Sequence, residues 1–386
     1  MINFKTPELS DRTAVAKAVA DSGYTGSDAS FANIFLLRQK YGTQIALQDG
    51  FLFRYYNGQG SRRGYAFPLG SGDVAAAIAL IVEDARQSGR PLEFCLVDEP
   101  RAQILREYFK TAGSNGAKSA LHFTENRGDS DYIYSAESLA TLAGNQYKKK
   151  RNHVSRFNRT YSNYEIRPLT PENFADALTV EKSWLNIETL GESSDTDCEC
   201  TCECREAAWA ERSEDEKSRL SEYCAIREAI EHFDELSMKG AVLYVGGVPA
   251  GMTMASEILP GVWDIHFEKV IDEYAVNGGY AIINKLFAEK LWATGAHLIN
   301  REEDINIEGL RKAKLSYYPQ TILDKTHVTC RLDLHCHPRD LTCHPERSAQ
   351  REVTLDTWAS ALSDPWSPLR GEGSRPAVKT KGLALF

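Results

Sequence analysis

The sequence predicts a mixed α/β protein (α+β, mixed sheets) made of one unit used twice. Two observations carry this. The order of apolar patterns in residues 1–130 returns in residues 168–326, and a strongly cationic segment joins the two stretches. A third observation bounds it: 386 residues suffice for two domains of ordinary size, and 42% hydrophobic with 26% charged residues suits a soluble globular chain.

In the first unit, helices are expected near 11–21 and 29–40. Three short strand-like runs follow, "TQIALQ", "FLFRYY" and "GYAFPL". The helix "DVAAAIALIVEDARQSG" opens on the N-cap residue Asp73 and closes on Gly89. The strand "LEFCLV", a helix at 99–109 and the strand "ALHFTE" complete the set. The order is helices, a meander, then helix, strand, helix, strand.

The connecting segment, residues 131–167, contains "NQYKKKRNHVSRFNR", with six Lys and Arg between positions 148 and 159 of a chain whose formal net charge is −9. On a helical wheel Lys148, Lys149, Asn152, Arg156 and Arg159 share one face, while Tyr147, Val154 and Phe157 lie opposite. No acid lies between Gly144 and Tyr164 to pair with this charge, so the helix, Arg151 included, is expected to hold a polyanion at the junction of the units. A solvated linker helix is the plainer alternative.

The second unit repeats the plan. Helices are expected near 171–185 and 216–235, then the strands "GAVLYVGG", "VPAGMTMASEIL" and "VWDIHFEKVI". The helix "GGYAIINKLFAEKLWATG", the strand "HLINRE", the helix "IEGLRKAKLSY" and the strand "PQTILDK" follow.

Two stretches stand outside this plan. Residues 191–216 carry ten acids against Arg205 and Arg212, together with the cysteine run "CECTCEC", and are expected to be an inserted loop. The alternating thiols of one strand are poorly placed to surround a tetrahedral ion. Residues 327–386 lack sustained periodicity and are expected to be a disordered or foreign tail. Neither stretch is assigned a metal, and no metal ligand is assigned elsewhere. The start "MINFKTPELSDRT" has no apolar signal core and no window reaches the ~18–20 apolar residues of a span, so a cytoplasmic protein is expected.

Chemistry concentrates in the second unit. Asn277, Gly278, Gly279 and Tyr280 stand between a strand and a helix start, where backbone N–H groups favour an anion. The strand ending at Asn300 delivers Arg301, Glu302, Glu303 and Asp304 to its C-terminal end, and Arg311 and Lys314 follow on the next helix. Any of the three acids could be the general base for an amine or hydroxyl nucleophile. His266 and Glu268 share a strand face; each is a candidate for the site or an ordinary strand residue.

The segments "YTGSDASFANIFLLRQKY", "DYIYSAESLATLAGNQYKKKRNHVSRF", "SEYCAI" and "NREEDINIEGLRKAKLSYYP" resemble the soluble bacterial family related to the C-terminal catalytic domain of phosphatidylglycerol lysyltransferases, over about residues 1–325. The resemblance implies two tandem domains like GCN5-related N-acetyltransferases, as also in the FemABX peptidyltransferases. It implies aminoacyl transfer from aminoacyl-tRNA to a hydroxyl or amino acceptor, without a bound cofactor. Within that frame, Lys148, Lys149, Arg151, Asn152, Arg156, Asn277–Tyr280, Asn300, Arg301, Arg311 and Lys314 are the substrate-binding candidates, and Glu302, Glu303, Asp304 and Glu268 the catalytic ones. Peripheral contact with anionic lipid is a further expectation. The alternatives are an N-acetyltransferase using coenzyme A, and a non-catalytic RNA- or nucleotide-binding protein.

Overall fold

The computed structural model describes residues 1–58, 62–113, 119–185 and 213–332. The expectations for the cysteine run and for residues 333–386 lie outside the described residues.

The first half starts with the helices α1 (Arg12–Ser22), α2 (Phe31–Leu36) and α3 (Arg38–Tyr41). The helix expected over 29–40 is thus two pieces, because Ser30 caps α2, accepting from Asn33 N at 3.1 Å, and Leu37 leaves helical geometry. Strands β1 (Thr43–Gln48), β2 (Phe51–Tyr56), β3 (Gly64–Ala66) and β4 (Leu69–Gly70) follow. Pro68 offers no N–H to a ladder and separates β3 from β4. Helix α4 (Val74–Ser88) starts where the Asp73 side chain accepts from Ala76 N at 3.1 Å, and it ends at Gly89 with a left-handed φ of 67°. Then come β5 (Glu93–Val97), α5 (Glu99–Gly113), β6 (Ser119–Glu125) and β7 (Asp131–Ser135).

The second half continues with α6 (Ala136–Thr141), α7 (Lys148–Thr160), β8 (Tyr164–Pro168), α8 (Phe174–Leu185) and α9 (Glu214–Glu231). Strands β9 (Lys239–Val245), β10 (Val248–Leu259) and β11 (Val262–Val270) form the meander. After them come α10 (Asp272–Ala275), α11 (Gly279–Ala293), β12 (Leu298–Asn300), α12 (Glu308–Leu315), β13 (Thr321–Leu323) and β14 (Thr326–Leu332).

Two seven-stranded sheets result. One runs β1-β2-β3-β5-β14-β6 with β4 on β2, the other β13-β7-β12-β11-β10-β9-β8. Each joins an antiparallel meander to a parallel pair, β3 with β5 and β11 with β12. The duplicated mixed α/β plan therefore holds. Pattern reading missed an exchange: β7, from the first half, sits between β12 and β13, while β14, from the end, sits between β5 and β6. The expected tail is accordingly corrected. Residues 327–332 are part of β14, hydrogen-bonded on both sides, and the boundary at 326 cuts a strand.

A buried polar centre locks the halves together. Asp28 is 2.8 Å from Arg54 and 2.9 Å from Lys325, whose ammonium is also 2.8 Å from Asp131. Asp131 in turn accepts from Ser27 N at 2.8 Å and Asn300 Nδ2 at 2.9 Å.

Candidate active site

Helix α7 lies on the second sheet through its apolar side. Phe157 is buried with Leu243, Val270, Ile282 and Ile283, and Tyr147 joins the neighbouring core. Beside it opens a cavity of about 420 Å³ whose walls come from α7, α9, β11, the turn before α11, the end of β12 and α12. From α7 the cavity receives Lys150 and His153. The outward-facing Lys148, Lys149, Asn152 and Arg159 are exposed. Arg151 donates to the carbonyls of Leu142 (2.5 Å) and Gly144 (2.6 Å), stitching the loop ahead of its own helix. Arg156 reaches the Val276 carbonyl at 3.5 Å.

The cavity's charged heart is an ion pair beside a ring. Arg301 Nη2 is 2.8 Å from Glu268 Oε1, and Glu268 Oε2 accepts from Asn284 Nδ2 at 3.2 Å. Tyr317 is flanked by two cations, Lys150 Nζ at 3.6 Å and the Arg301 guanidinium at 5.0 Å from its ring centre. Burial, with the Arg301 charge behind it, pushes the Lys150 ammonium down to about 8. Among the described residues Arg301 Nη1 has no hydrogen-bond partner. The same two causes bring Lys314 to about 8; its ammonium donates to the carbonyls of Arg301 and Glu302 (3.2 Å to the latter), fixing the chain between β12 and α12.

The structure divides the four candidate acids. Glu268 and Glu302 line the cavity. Burial pushes Glu302 up to about 8; its Oε1 accepts from Asn33 Nδ2 at 3.3 Å. Glu303 turns toward the other half, 3.5 Å from Arg62, and burial raises it to about 7. Asp304 is withdrawn from chemistry: Arg311 grips it at 2.7 and 2.8 Å and Tyr132 donates at 2.6 Å. Burial opposes its charge, but those hydrogen bonds prevail and hold it below the ordinary carboxylate range.

Several binding candidates turn out to be occupied by the fold. Arg311 serves Asp304, and Asn300 joins Asp131 and the Thr25 carbonyl. Asn277 donates to Tyr161 at 3.0 Å. A Cβ on Gly278 (φ 101°) would meet the His153 carbonyl oxygen at 2.4 Å, and one on Gly279 would meet Val270 Cγ1 at 2.6 Å. Both glycines let the turn press against α7 and β11. Tyr280 does wall the cavity, and burial pushes its hydroxyl up to about 12.

Sequence reasoning missed Lys150, Tyr317 and Glu222. Glu222 enters the cavity from α9 and meets Lys269 at 2.5 Å. For Lys150 the signal existed, since it falls between Phe157 and Val154 on the wheel, alone among charges on the apolar arc.

Residues 20–325 match the family model described as "Phosphatidylglycerol lysyltransferase, C-terminal". No curated protein matches the chain. Among solved structures, a conserved protein of unknown function from Bacteroides thetaiotaomicron is 32% identical, with a TM-score of 0.71, covering 86% of this chain and all of its own. L-PGS from Bacillus licheniformis shares the fold at 13% identity and a TM-score of 0.54, covering 84% and 93% of the two chains. The C-terminal domain described as that of a lysylphosphatidylglycerol synthetase from Agrobacterium fabrum does so at 14% identity and 0.53, covering 83% and 92%. The chain belongs to the phosphatidylglycerol lysyltransferase C-terminal family, a family of acyl and aminoacyl transferases. Among the described residues no helix is long and apolar enough to cross a membrane.

Proposed function

We propose, from membership of this family, that the chain transfers an aminoacyl group from aminoacyl-tRNA to a hydroxyl or amino acceptor held in the 420 Å³ cavity. The carrying observation is the convergence of Lys150, Glu268, Arg301 and Tyr317, from separate elements, on that one cavity. An aminoacyl ester is already activated, so its transfer needs positioning, a cation for the developing oxyanion and a proton acceptor. Arg301, anchored by Glu268 through one nitrogen, keeps Nη1 for the oxyanion. Lys150, near 8, exchanges a proton close to neutrality: it takes the proton of the attacking acceptor and returns it to the tRNA ribose oxygen released as the ester bond breaks. The exposed cations of α7 run from the cavity's edge and would carry the tRNA backbone.

The packing role of Gly278 and Gly279 weakens the alternative of a coenzyme A pyrophosphate loop. Charged tRNA labelled in its amino acid tests the reading, supplied with phosphatidylglycerol vesicles or with soluble amines. Label moving to either acceptor supports it and names the acceptor. Equal binding of charged and uncharged tRNA with no label moved, or turnover with acetyl-coenzyme A alone, overturns it.

A further inference from the structure

Behind the cavity, β11 carries an extra residue against β10. Met254 opposes Phe267 and Ala255 opposes Ile265, leaving His266 as the bulged position. His266 Nδ1 lies 3.5 Å from Asp264 Oδ2 and 3.5 Å from Glu302 Oε1, and one donor atom from each residue falls within 4.8 Å of the others. The side chains of all three are at most 2% exposed.

Among the described residues no Lys or Arg lies at ion-pair distance from any of these three groups. His266 Nε2 is 2.8 Å from Ser256 Oγ, which fixes the ring and turns Nδ1 toward the carboxylates. Among the described residues no hydrogen bond of good geometry reaches either oxygen of Asp264. The neutral Ser30 hydroxyl beside it, whose Oγ accepts from Asn33 N, favours its charged form but brings no positive charge. The neighbouring cations are engaged elsewhere: Lys314, the nearest in effect on Glu302, with the carbonyls of Arg301 and Glu302, Lys325 with Asp28 and Asp131, Arg54 with Asp28, Arg62 with Asn33 and Glu303. Burying an unpaired carboxylate is costly, and pairing it with a cation removes the cost.

We infer that Asp264, His266 and Glu302 form a binding site for one divalent first-row metal ion, a role no sequence pattern assigned them. Bonds of about 2.0–2.2 Å at near-tetrahedral angles separate ligand atoms by about 3.4 Å, close to the two spacings seen. One imidazole and two carboxylates suit manganese or zinc better than a soft ion. His266 and Glu302 line the cavity, so the ion's remaining positions face the same space as Arg301, where it would polarise a carbonyl oxygen.

Metal binding is read without substrate, so its failure and the failure of aminoacyl transfer are separate results. The full chain, stripped by chelator, is titrated with Mn²⁺ and followed by electron paramagnetic resonance. One ion per chain is expected, with nitrogen coupling from an imidazole. Affinity is expected to fall at least tenfold in Asp264→Asn and His266→Gln, and the nitrogen coupling to vanish in the second. Thiolates prefer softer ions, so replacing Cys198, Cys200, Cys202 and Cys204 by Ser should change nothing. Absence of saturable binding, equal binding by both variants, or bound ion without nitrogen coupling in the unaltered chain overturns the site. The last measurement needs no variant and stands even where Asp264→Asn does not fold.

Discussion

Two buried polar centres lie side by side in this molecule and behave oppositely. In the first, Asp28, Asp131, Arg54 and Lys325 form short ion pairs, and Asp28 is held far below the ordinary carboxylate range: burial opposes its charge, but Lys325 and Arg54 outweigh it. In the second, Asp264 and Glu302 are pushed upward by burial, and among the described residues neither has a Lys or Arg at ion-pair distance. Burial is nearly complete in both. Counter-charge within ion-pair distance decides whether a buried acid is a rivet or a reactive group.

Substitutions test that contrast, the largest effect first. Lys325→Met should break the paired centre, leaving Asp131 without its cation and Asp28 with Arg54 alone, at a cost of about 3–5 kcal/mol. Thermal and denaturant unfolding would show it; a loss below about 1 kcal/mol would mean the centre is not the lock between the halves.

Arg301→Gln should leave unfolding far less affected than Lys325→Met and lower kcat by about 10²–10³-fold, the scale of one lost oxyanion donor. Arg301→Lys should not rescue it, because an ammonium cannot grip Glu268 and serve a second acceptor in the same plane.

Lys150 gives a smaller, pH-shaped effect. Tyr317 faces it, with Arg301, Glu268 and His153 around the same cavity. Its folded value, about 8, lies below the ordinary 10.5, so affinity for an anionic ligand should fall as pH rises through 8. Between about 8 and 10.5 the unfolded chain holds a proton that the folded one has released, so this group's contribution to stability rises with pH there. Lys150→Arg should abolish both dependences. A binding curve flat to pH 9 in the unaltered chain would refute the shift.

The smallest effect belongs to the solvated face. Lys148→Ala with Lys149→Ala should leave unfolding unchanged and reduce the salt slope of tRNA binding by about one unit per lost phosphate contact. An unchanged slope would remove α7 from the tRNA path.

The sequence made the meanders and long helices legible because each carries its own periodicity and caps, as Asp73 and Gly89 do for α4. β7 and β14 were not legible as members of the opposite sheets, since their partners are distant in the chain and five or seven residues do not encode a partner. The cluster Arg301–Glu302–Lys314 was visible as a concentration of charge. Its division of labour was not: whether Asp304 is gripped by Arg311, or Asn300 spent on Asp131, depends on contacts that spacing cannot report. Lys150 shows the reverse failure. Counting charge drew attention to the outer face, while the one lysine among apolar neighbours marked the cavity.

The exchanged strands bear on how the chain is made. β6 pairs with β14 and, among the described residues, with no other strand, and β14 is the last strand of the described chain. During synthesis the opening sheet must therefore wait, gapped between β5 and β6, until residues near 330 leave the ribosome. The halves should then mature together, and a nascent chain halted after β6 should expose an unsealed edge for a chaperone to cover.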